Sequence, residues 1–334
     1  MASSIQTISR IALIAAATAV VAGNAAAAAT SLRFGHPSQP DPNRGPYADA
    51  PHQFTLALEK LLPGQFKIKI YPSRQLGDEK EMLEQVRFGT LDMDVTTNAV
   101  VANVESSLLA NDLPFLYPDA PTAHRVLDGP IGQDMLARLE AKNLIGLAFF
   151  EGGFRHMMNN ARPVVTPADV KGVKYRVMQN PVFIGMFNSL GGNAIPMAFG
   201  DLFTALRQGT VDGMELPITA GFAVKANEVT KYLSLTSHTY SALVMTVSKR
   251  TFKKLGKDQQ QAFREAALMA NKVQRANNAK RESAALDGLK KRGMTVNPVK
   301  DLAEFRSMVT PVYDQFRDRI GSALLDSLLA AVRK

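Results

Sequence analysis

Two arginines are the residues of this sequence best suited to binding a small anion. Arg176 lies opposite the apolar face of an alternating segment, residues 173–177, and Arg155 follows a glycine pair at positions 152 and 153. A planar guanidinium group offers a carboxylate two parallel, charge-assisted hydrogen bonds. Taken alone, Arg176 also fits a solvent-facing strand position and Arg155 an ordinary surface position. The residue types therefore favour an anion site without fixing it.

The sequence contains no familiar catalytic motif. It lacks a G-x-S-x-G nucleophile elbow, a P-loop and an H-E-x-x-H metal motif, and its five histidines are not paired at metal-ligand spacing. It has no cysteine, which excludes cysteine–histidine catalysis, cysteine zinc sites and iron–sulfur clusters. The sequence therefore predicts a protein that is not an enzyme and needs no cofactor or metal. An exported lyase or hydrolase is the alternative that measurable turnover would reveal.

Segments that contain polar residues follow several predicted strands, at the point where each strand ends. In open α/β sheets, ligands bind beyond the carboxyl ends of the strands. The segments in question are His36-Pro37-Ser38, Thr96-Thr97-Asn98, Met178-Gln179-Asn180 and Glu215-Leu216. We expect these segments to converge on one cleft between two domains.

The elements that must position these segments alternate between strands and helices. Alternating or continuous apolar runs predict strands at residues 32–35, 66–70, 91–95, 144–150, 173–177 and 243–247. Asp78 with Glu81 predicts a capping box that opens a helix, and Gly89 suits the left-handed position that ends it. Strands separated by helices are typical of α/β domains with largely parallel sheets.

One unit of the sequence occurs twice. Residues 83–92 read LEQVRFGTLD and residues 203–212 read FTALRQGTVD, which share Arg-x-Gly-Thr-apolar-Asp at an offset of 207 − 87 = 120. This pattern predicts one helix–glycine–strand unit in each of two domains. From Asp258 to about Lys291 the pattern is helical, long enough at 1.5 Å per residue to span both domains over about 50 Å. Two helices broken near Asp287-Gly288 are the alternative.

The first 29 residues are typical of a secretory signal peptide. Arg10 precedes an apolar run, residues 11–21, and small residues at Ala25–Ala29 fit a cleavage site near Ala29. A membrane anchor is the alternative, whereas a lipid anchor is excluded by the absence of cysteine. We therefore expect a mature periplasmic protein. The net charge of the full chain, +9, favours small anionic ligands over nucleic acid, which an exported protein rarely meets.

Short motifs in a fixed order give the sequence a family resemblance. It resembles, over essentially the whole mature chain, the DctP-type solute-binding proteins of TRAP (tripartite ATP-independent periplasmic) transporters. The motifs are Tyr71-Pro72-Ser73-Arg74-Gln75-Leu76-Gly77, Gly89-Thr90-Leu91-Asp92, Leu113-Pro114-Phe115, Asp169-Val170-Lys171-Gly172-Val173-Lys174-Tyr175-Arg176-Val177, Pro196-Met197-Ala198-Phe199, Val211-Asp212-Gly213-Met214-Glu215 and Thr236-Ser237-His238.

The resemblance implies a two-domain periplasmic-binding-protein-like fold with crossing strands and one long helix spanning both domains. The domains would comprise residues 30–154 with 241–281, and residues 155–240 with 282–334. The implied function is hinge closure around a small organic acid and its delivery to the TRAP membrane permease. The alternative is a binding protein of an ABC transporter or a sensor kinase. Nearby genes for a small and a large membrane subunit would favour the TRAP type.

The resemblance also implies roles for single residues. Arg176 is similar to the arginine that clamps the ligand carboxylate, and Arg155 to a second ligand arginine. Glu79 falls at an acidic position that contacts ligand, with helix-start charge as its other interpretation. Phe199 is similar to an aromatic residue lining the cleft, although a core position would also suit it.

Two positions depart from the pattern of the family. Leu216 stands where members often carry asparagine, and Thr97 stands where sugar-acid binders carry an acid. Leucine forms no hydrogen bond, so a polar ligand group facing it would be unpaired, at a cost of roughly 1–3 kcal/mol. We therefore expect a ligand less hydroxylated than a sialic acid, such as a mono- or dicarboxylate, an oxo acid or an aromatic acid.

Overall fold

The computed structural model describes residues 29–333. The strands are β1 (Thr30–Gly35), β2 (Phe66–Tyr71), β3 (Met93–Thr97), β4 (Leu144–Asn159), β5 (Lys174–Val177), β6 (Asn193–Pro196), β7 (Gly213–Pro217), β8 (Tyr232–Ser248) and β9 (Thr295–Pro298). The helices are α1 (Pro46–Leu61), α2 (Glu79–Phe88), α3 (Asn98–Val101), α4 (Ala120–Asp128), α5 (Pro130–Arg138), α6 (Pro181–Ser189), α7 (Leu202–Arg207), α8 (Ile218–Ala223), α9 (Lys249–Phe252), α10 (Lys257–Lys291), α11 (Ala303–Ile320) and α12 (Ser322–Val332). The predicted signal peptide lies outside the described residues. Within residues 29–333, the helices are too short or too polar to cross a membrane.

The strands form one mixed sheet that runs through both halves of the molecule. Its order is β2-β1-β3-β8-β4-β7-β5-β6, with β9 also paired to β8. The outer pairs β1–β2, β1–β3, β5–β6 and β5–β7 are parallel, whereas β3–β8, β4–β8 and β4–β7 are antiparallel. The predicted α/β class is therefore confirmed, with two parallel outer parts joined by two antiparallel strands.

The crossing strands β4 and β8 are longer than their hydrophobic runs predict. They have 16 and 17 residues and pair with each other along most of their length. The Gly152-Gly153 pair has a composition typical of a turn but lies within β4 at a register shift. Gly153 has a φ of 102°, and a Cβ on Gly152 would lie 2.9 Å from the Ser241 carbonyl oxygen. Glycine thus permits an irregular strand where a bulkier residue would break the pairing.

The helix–glycine–strand repeat is confirmed as one unit in each half of the sheet. The first unit is α2, Gly89 and β3, and the second is α7, Gly209 and β7. Both glycines have positive φ, 74° and 69°. Asp78 caps α2 as predicted and accepts a hydrogen bond from the Glu79 amide at 2.9 Å. The reciprocal bond expected from Glu81 is not among the contacts of this cap.

The long helix α10 is continuous, with 35 residues, so the alternative of two helices broken near position 287 is wrong. It packs against α1 in the first half and α8 in the second, and it also contacts β4. Gly288 permits the close approach to α8, because a Cβ there would lie 2.4 Å from the Phe222 ring. The predicted domain-spanning helix is therefore present.

The C-terminal helices belong to both halves of the molecule. The helix α11 packs against α6 and against the 3-10 turn Ser106–Asp112, whereas α12 packs against α4 and α5. Arg125 of α4 donates a hydrogen bond to the Ala331 carbonyl at 2.9 Å. The predicted division of the chain into 30–154 with 241–281 and 155–240 with 282–334 remains a prediction, and we propose moving α12 to the first domain.

Candidate functional site

A narrow cavity lies between the two halves, where the carboxyl ends of the parallel strands face each other. Its walls come from the first half, the crossing strands and the second half: Ser38, Gly45, Pro46, Tyr47 and Glu79; then Gly152, Arg155 and Ser241; then Met178, Phe199, Leu216, Pro217, Ala220, Ala223 and Val224. The cavity volume is about 30 Å³, and one water molecule needs roughly 10–15 Å³. The opposing walls therefore lie close together.

Arg155 lies on the cavity wall in a buried ion pair with Glu215. Its Nε and Nη2 atoms donate to the two carboxylate oxygens of Glu215, the Nη2–Oε1 distance being 2.9 Å, and Nη1 donates to Ser241 Oγ at 3.2 Å. Burial alone would raise the pKa of Glu215, but the adjacent Arg155 guanidinium holds that pKa below its ordinary value. His238 Nε2 lies 3.4 Å from the same carboxylate. Glu215 therefore neutralises Arg155 and fixes its orientation.

Arg176 is buried beside the cavity and has no acidic partner. It is 1% exposed, which excludes a solvent-facing strand position. Its Nε and Nη2 donate to the Met197 carbonyl at 2.9 and 2.6 Å, and Nη1 lies 3.6 Å from the sulfur of Met178. Among residues 29–333, no carboxylate lies within 4.0 Å of it. Burial lowers the pKa of Arg176, against the opposing effect of Glu215.

Glu79 presents a carboxylate to the cavity from the first half. Its Oε1 atom accepts hydrogen bonds from the Thr97 amide at 2.7 Å, from the Thr97 hydroxyl at 3.1 Å and from the Tyr47 hydroxyl at 3.2 Å. Burial raises the pKa of Glu79, and the Thr97 amide opposes that rise. Because the donors share one oxygen, Oε2 keeps its acceptor capacity toward the cavity that Glu79 lines.

The second half contributes an apolar wall to the cavity. Phe199 and Leu216 both line it, as predicted, together with residues of β7 and α8. Leu216 is 3% exposed and follows Glu215 in β7, so the two side chains point to opposite faces of the sheet. The cavity therefore has one polar side, with Glu79 and Arg155, and one apolar side.

Four of the predicted site residues do not line this cavity: Arg176, which lies beside it, and Thr97, His36 and Gln179. Thr97 is buried behind Glu79 and acts by hydrogen bonding that carboxylate. His36 is fully buried, and both of its ring nitrogens lack a hydrogen-bond partner; burial lowers its pKa to about 4. Gln179 is exposed in a separate groove beside Lys80 and Asn103. A position directly after a strand, or at its end, was therefore not sufficient to predict that these residues line the cavity.

Sequence reasoning also missed residues that the structure brings to the site. Tyr47 lines the cavity and bonds Glu79, and Glu215 orients Arg155. Tyr47 follows the proline that opens α1, after the polar loop at residues 36–46, and this position was the available signal. Glu215 stands at the end of the repeated unit, where an acid in an otherwise apolar strand points to a buried partner.

Comparison with known proteins identifies the class that this fold and site define. Residues 38–319 match the family profile DctP, bacterial extracellular solute-binding protein, family 7. The 2,3-diketo-L-gulonate-binding periplasmic protein of Escherichia coli is 38% identical over 270 residues, 80% of this chain and 81% of that protein. A TRAP periplasmic solute-binding protein of Polaromonas sp. JS666 bound to D-erythronate is 39% identical, with a TM-score of 0.86 over 90% of this chain and 98% of the other.

A second solved structure shows the same fold. The sugar-acid-binding protein of Advenella mimigardefordensis in complex with galactonate has a TM-score of 0.87 at 33% identity, covering 91% of this chain and 98% of the other. The chain therefore belongs to the DctP family of bacterial extracellular solute-binding proteins. The predicted TRAP-type membership and two-domain fold are confirmed. The family and these relatives are binding proteins, not enzymes, and the named relative from Escherichia coli is periplasmic.

Proposed function

We propose that this chain binds a small hydroxylated carboxylic acid between its domains and delivers it to a TRAP membrane permease. The buried guanidinium of Arg176 carries this proposal, because a buried charge without a partner is costly. A ligand carboxylate that displaces the Met178 sulfur from Nη1 would supply the missing anion. The adjacent Arg155 offers the second hydrogen of Nη1 as a further donor, since the first is donated to Ser241 Oγ and the other nitrogens donate to Glu215.

The two unlike sides of the cavity favour a ligand with two unlike edges. The free Oε2 of Glu79 suits a ligand hydroxyl as donor, whereas Leu216, Pro217 and Ala220 offer only apolar contact. A hydroxyl facing the apolar side would be unpaired, at a cost of roughly 1–3 kcal/mol. We therefore propose an acid with at least one hydroxyl but fewer than a sialic acid carries. The relatives bound to D-erythronate and galactonate support the acid class.

We propose that the two halves separate about the crossing strands to admit the acid and then close around it. The cavity is walled by both halves and has room for only a few water molecules, so an organic acid needs its sides to separate first. The irregular strand segment around Gly153 lies between the halves and suits a hinge. Membership of the DctP family supports the proposed delivery to a permease.

A thermal-shift screen with Arg176→Ala tests the carboxylate clamp. An acid at about 100 times its Kd should stabilise the wild-type protein by roughly 2.7 kcal/mol, or several degrees. Truncating a buried charged partner costs about 2–5 kcal/mol of binding, so this variant should lose the shift while remaining folded. Arg207→Ala, an exposed arginine of the second unit, is the matched control. Unchanged binding by Arg176→Ala would refute the clamp.

Glu79→Gln tests the hydroxyl contact. Glutamine keeps its one oxygen for Thr97 and places an NH2 donor where Oε2 lies. The ligand hydroxyl thereby loses its charged acceptor, which contributes about 1–1.5 kcal/mol more to a hydrogen bond than a neutral group. Calorimetry should show about tenfold weaker binding of a hydroxy acid and little change for the matching deoxy acid. An equal loss for both acids would remove the hydroxyl assignment. A series in which the most hydroxylated sugar acids bind best would refute the two-edged ligand.

A further inference from the structure

One carboxylate connects the two halves at the edge of the cavity. Asp78 Oδ1 accepts a hydrogen bond from the Glu79 amide at 2.9 Å, and its Oδ2 accepts one from the Gly200 amide at 2.7 Å. Glu79 and Phe199, the residues that follow Asp78 and precede Gly200, both line the cavity. We propose that the Asp78–Gly200 contact is a latch that holds the two halves together and positions Glu79 opposite Phe199. This inference rests on the proposed binding function.

The loop that precedes Asp78 is shaped to reach the same point. Ser73 and Arg74 both have positive φ, 55° and 60°, a backbone conformation that is costly for residues with a side chain. The strained turn brings the Arg74 guanidinium to 5.9 Å from the centre of the Phe199 ring. A Cβ on Gly200 would lie 3.2 Å from Arg74 Nε and 3.0 Å from Asp78 Oδ2. Glycine at position 200 therefore permits the close approach.

Other contacts between the halves lie away from the cavity wall. Asn103 Nδ2 donates to the Gln179 carbonyl oxygen at 2.8 Å. Asn180 Nδ2 donates to the Asp112 carboxylate and to the Ala99 carbonyl oxygen, both at 3.0 Å, but none of these residues lines the cavity. Asp78, by contrast, caps α2, the helix that begins with the cavity residue Glu79. We therefore assign the main latch to Asp78. Its consequence would be slower dissociation of the bound acid.

Two variants weaken the latch from opposite sides. Gly200→Ala inserts a methyl group against the flexible ends of Asp78 and Arg74, and it leaves the cap on α2 intact. Asp78→Ser keeps a good helix-capping residue but is too short to reach Gly200. Asp201→Ala, which removes an exposed carboxylate from the adjacent position, is the matched control.

Because the chain has no cysteine, spin labels at Lys80→Cys and Gln208→Cys can report the distance between the halves. Pulsed EPR of the ligand-free protein should show a short-distance population that falls at least threefold in Gly200→Ala and in Asp78→Ser, but not in Asp201→Ala. Identical distance distributions in the wild-type protein and both latch variants overturn the latch, whether or not a short-distance population is present.

Kinetics with D-erythronate separates the latch from the proposed function. If the latch holds the acid in place, dissociation should be about tenfold faster in Gly200→Ala, with the association rate changed less than twofold. Arg176→Ala should instead abolish binding and leave the ligand-free EPR distances unchanged. Failure of D-erythronate to bind the wild-type protein would count against the proposed ligand, and the EPR comparison would still decide the latch.

Discussion

The two helix–glycine–strand units have the same backbone and opposite chemistry at the cavity. Asp92 accepts a hydrogen bond from the Arg33 amide in the first unit, and Asp212 accepts one from the Lys174 amide in the second, both at 2.9 Å. At the offset of 120, however, Glu79 corresponds to Phe199. The shared aspartates secure the strand pairing, whereas the residues at the cavity differ.

This difference assigns a separate task to each half of the site. The first unit supplies an acceptor, Glu79, with Thr97 supporting it. At the positions equivalent to 96 and 97, the second unit carries Leu216 and Pro217, whose side chains have no hydrogen-bonding group. A duplicated frame thus builds a cavity with two unlike sides, because the backbone geometry depends on the glycine and aspartate and not on the residues at the strand ends.

Glu215→Val replaces Glu215 by the residue found at the equivalent position of the first unit, Val95. Among changes that make the two units alike, we expect it to cause the largest loss of stability. The change leaves Arg155 buried without its acidic partner, and breaking such a pair costs about 3–5 kcal/mol of stability. Urea denaturation at pH 7 should show this loss. Adding Arg155→Met should recover most of it, because apolar residues replace buried pairs at little cost. Equal stability of the single variant and the wild-type protein would contradict the pairing.

Asp94→Asn tests a position where the first unit is acidic and the second is apolar, because the counterpart of Asp94 in the second unit is Met214. Asp94 is fully buried with one unpartnered oxygen, and burial raises its pKa to about 7. The native state therefore holds a proton that the unfolded state releases near pH 4, so wild-type stability falls between about pH 4 and 7.

The asparagine variant should escape this loss. Urea denaturation should find it more stable than the wild-type protein at pH 8, by up to about 4 kcal/mol, and nearly equal at pH 4. Asp201→Asn, at an exposed site, should show no such difference. A constant offset between the Asp94→Asn variant and the wild-type protein at both pH values would mean that Asp94 does not titrate in this range.

Alanine at the two shared glycines gives the smallest effect. Gly209 has no other atom within 4 Å of a built Cβ, whereas a Cβ on Gly89 would lie 2.9 Å from Arg250 Cδ. Gly209→Ala should therefore cost about 1–2 kcal/mol for the left-handed backbone alone, and Gly89→Ala should cost more. Thermal denaturation of both variants provides the comparison, and a larger loss at Gly209 would show that the glycines differ in some other way.

Local features of this fold were predictable where neighbouring residues determine them. The Asp78 cap, the left-handed Gly89 and the continuous α10 follow from short-range backbone hydrogen bonding and periodicity. The full length of β4 was not predictable, because Gly152 and Gly153 have the local signature of a turn. Pairing with β8 along most of its length outweighs that signature.

The sequence by itself determined the family, the α/β class, the duplicated unit and the presence of two arginines suited to binding an anion. Only the tertiary structure decided that Arg155 is neutralised by Glu215 while Arg176 has no acidic partner, and that His36 and Gln179 lie off the cavity. The physical reason is distance along the chain: Arg155 and Glu215 are 60 residues apart, and Asp78 and Gly200 are 122 apart. Residue type and spacing specify what a side chain can do, whereas burial and the partner across the sheet decide which of its atoms remain free to bind.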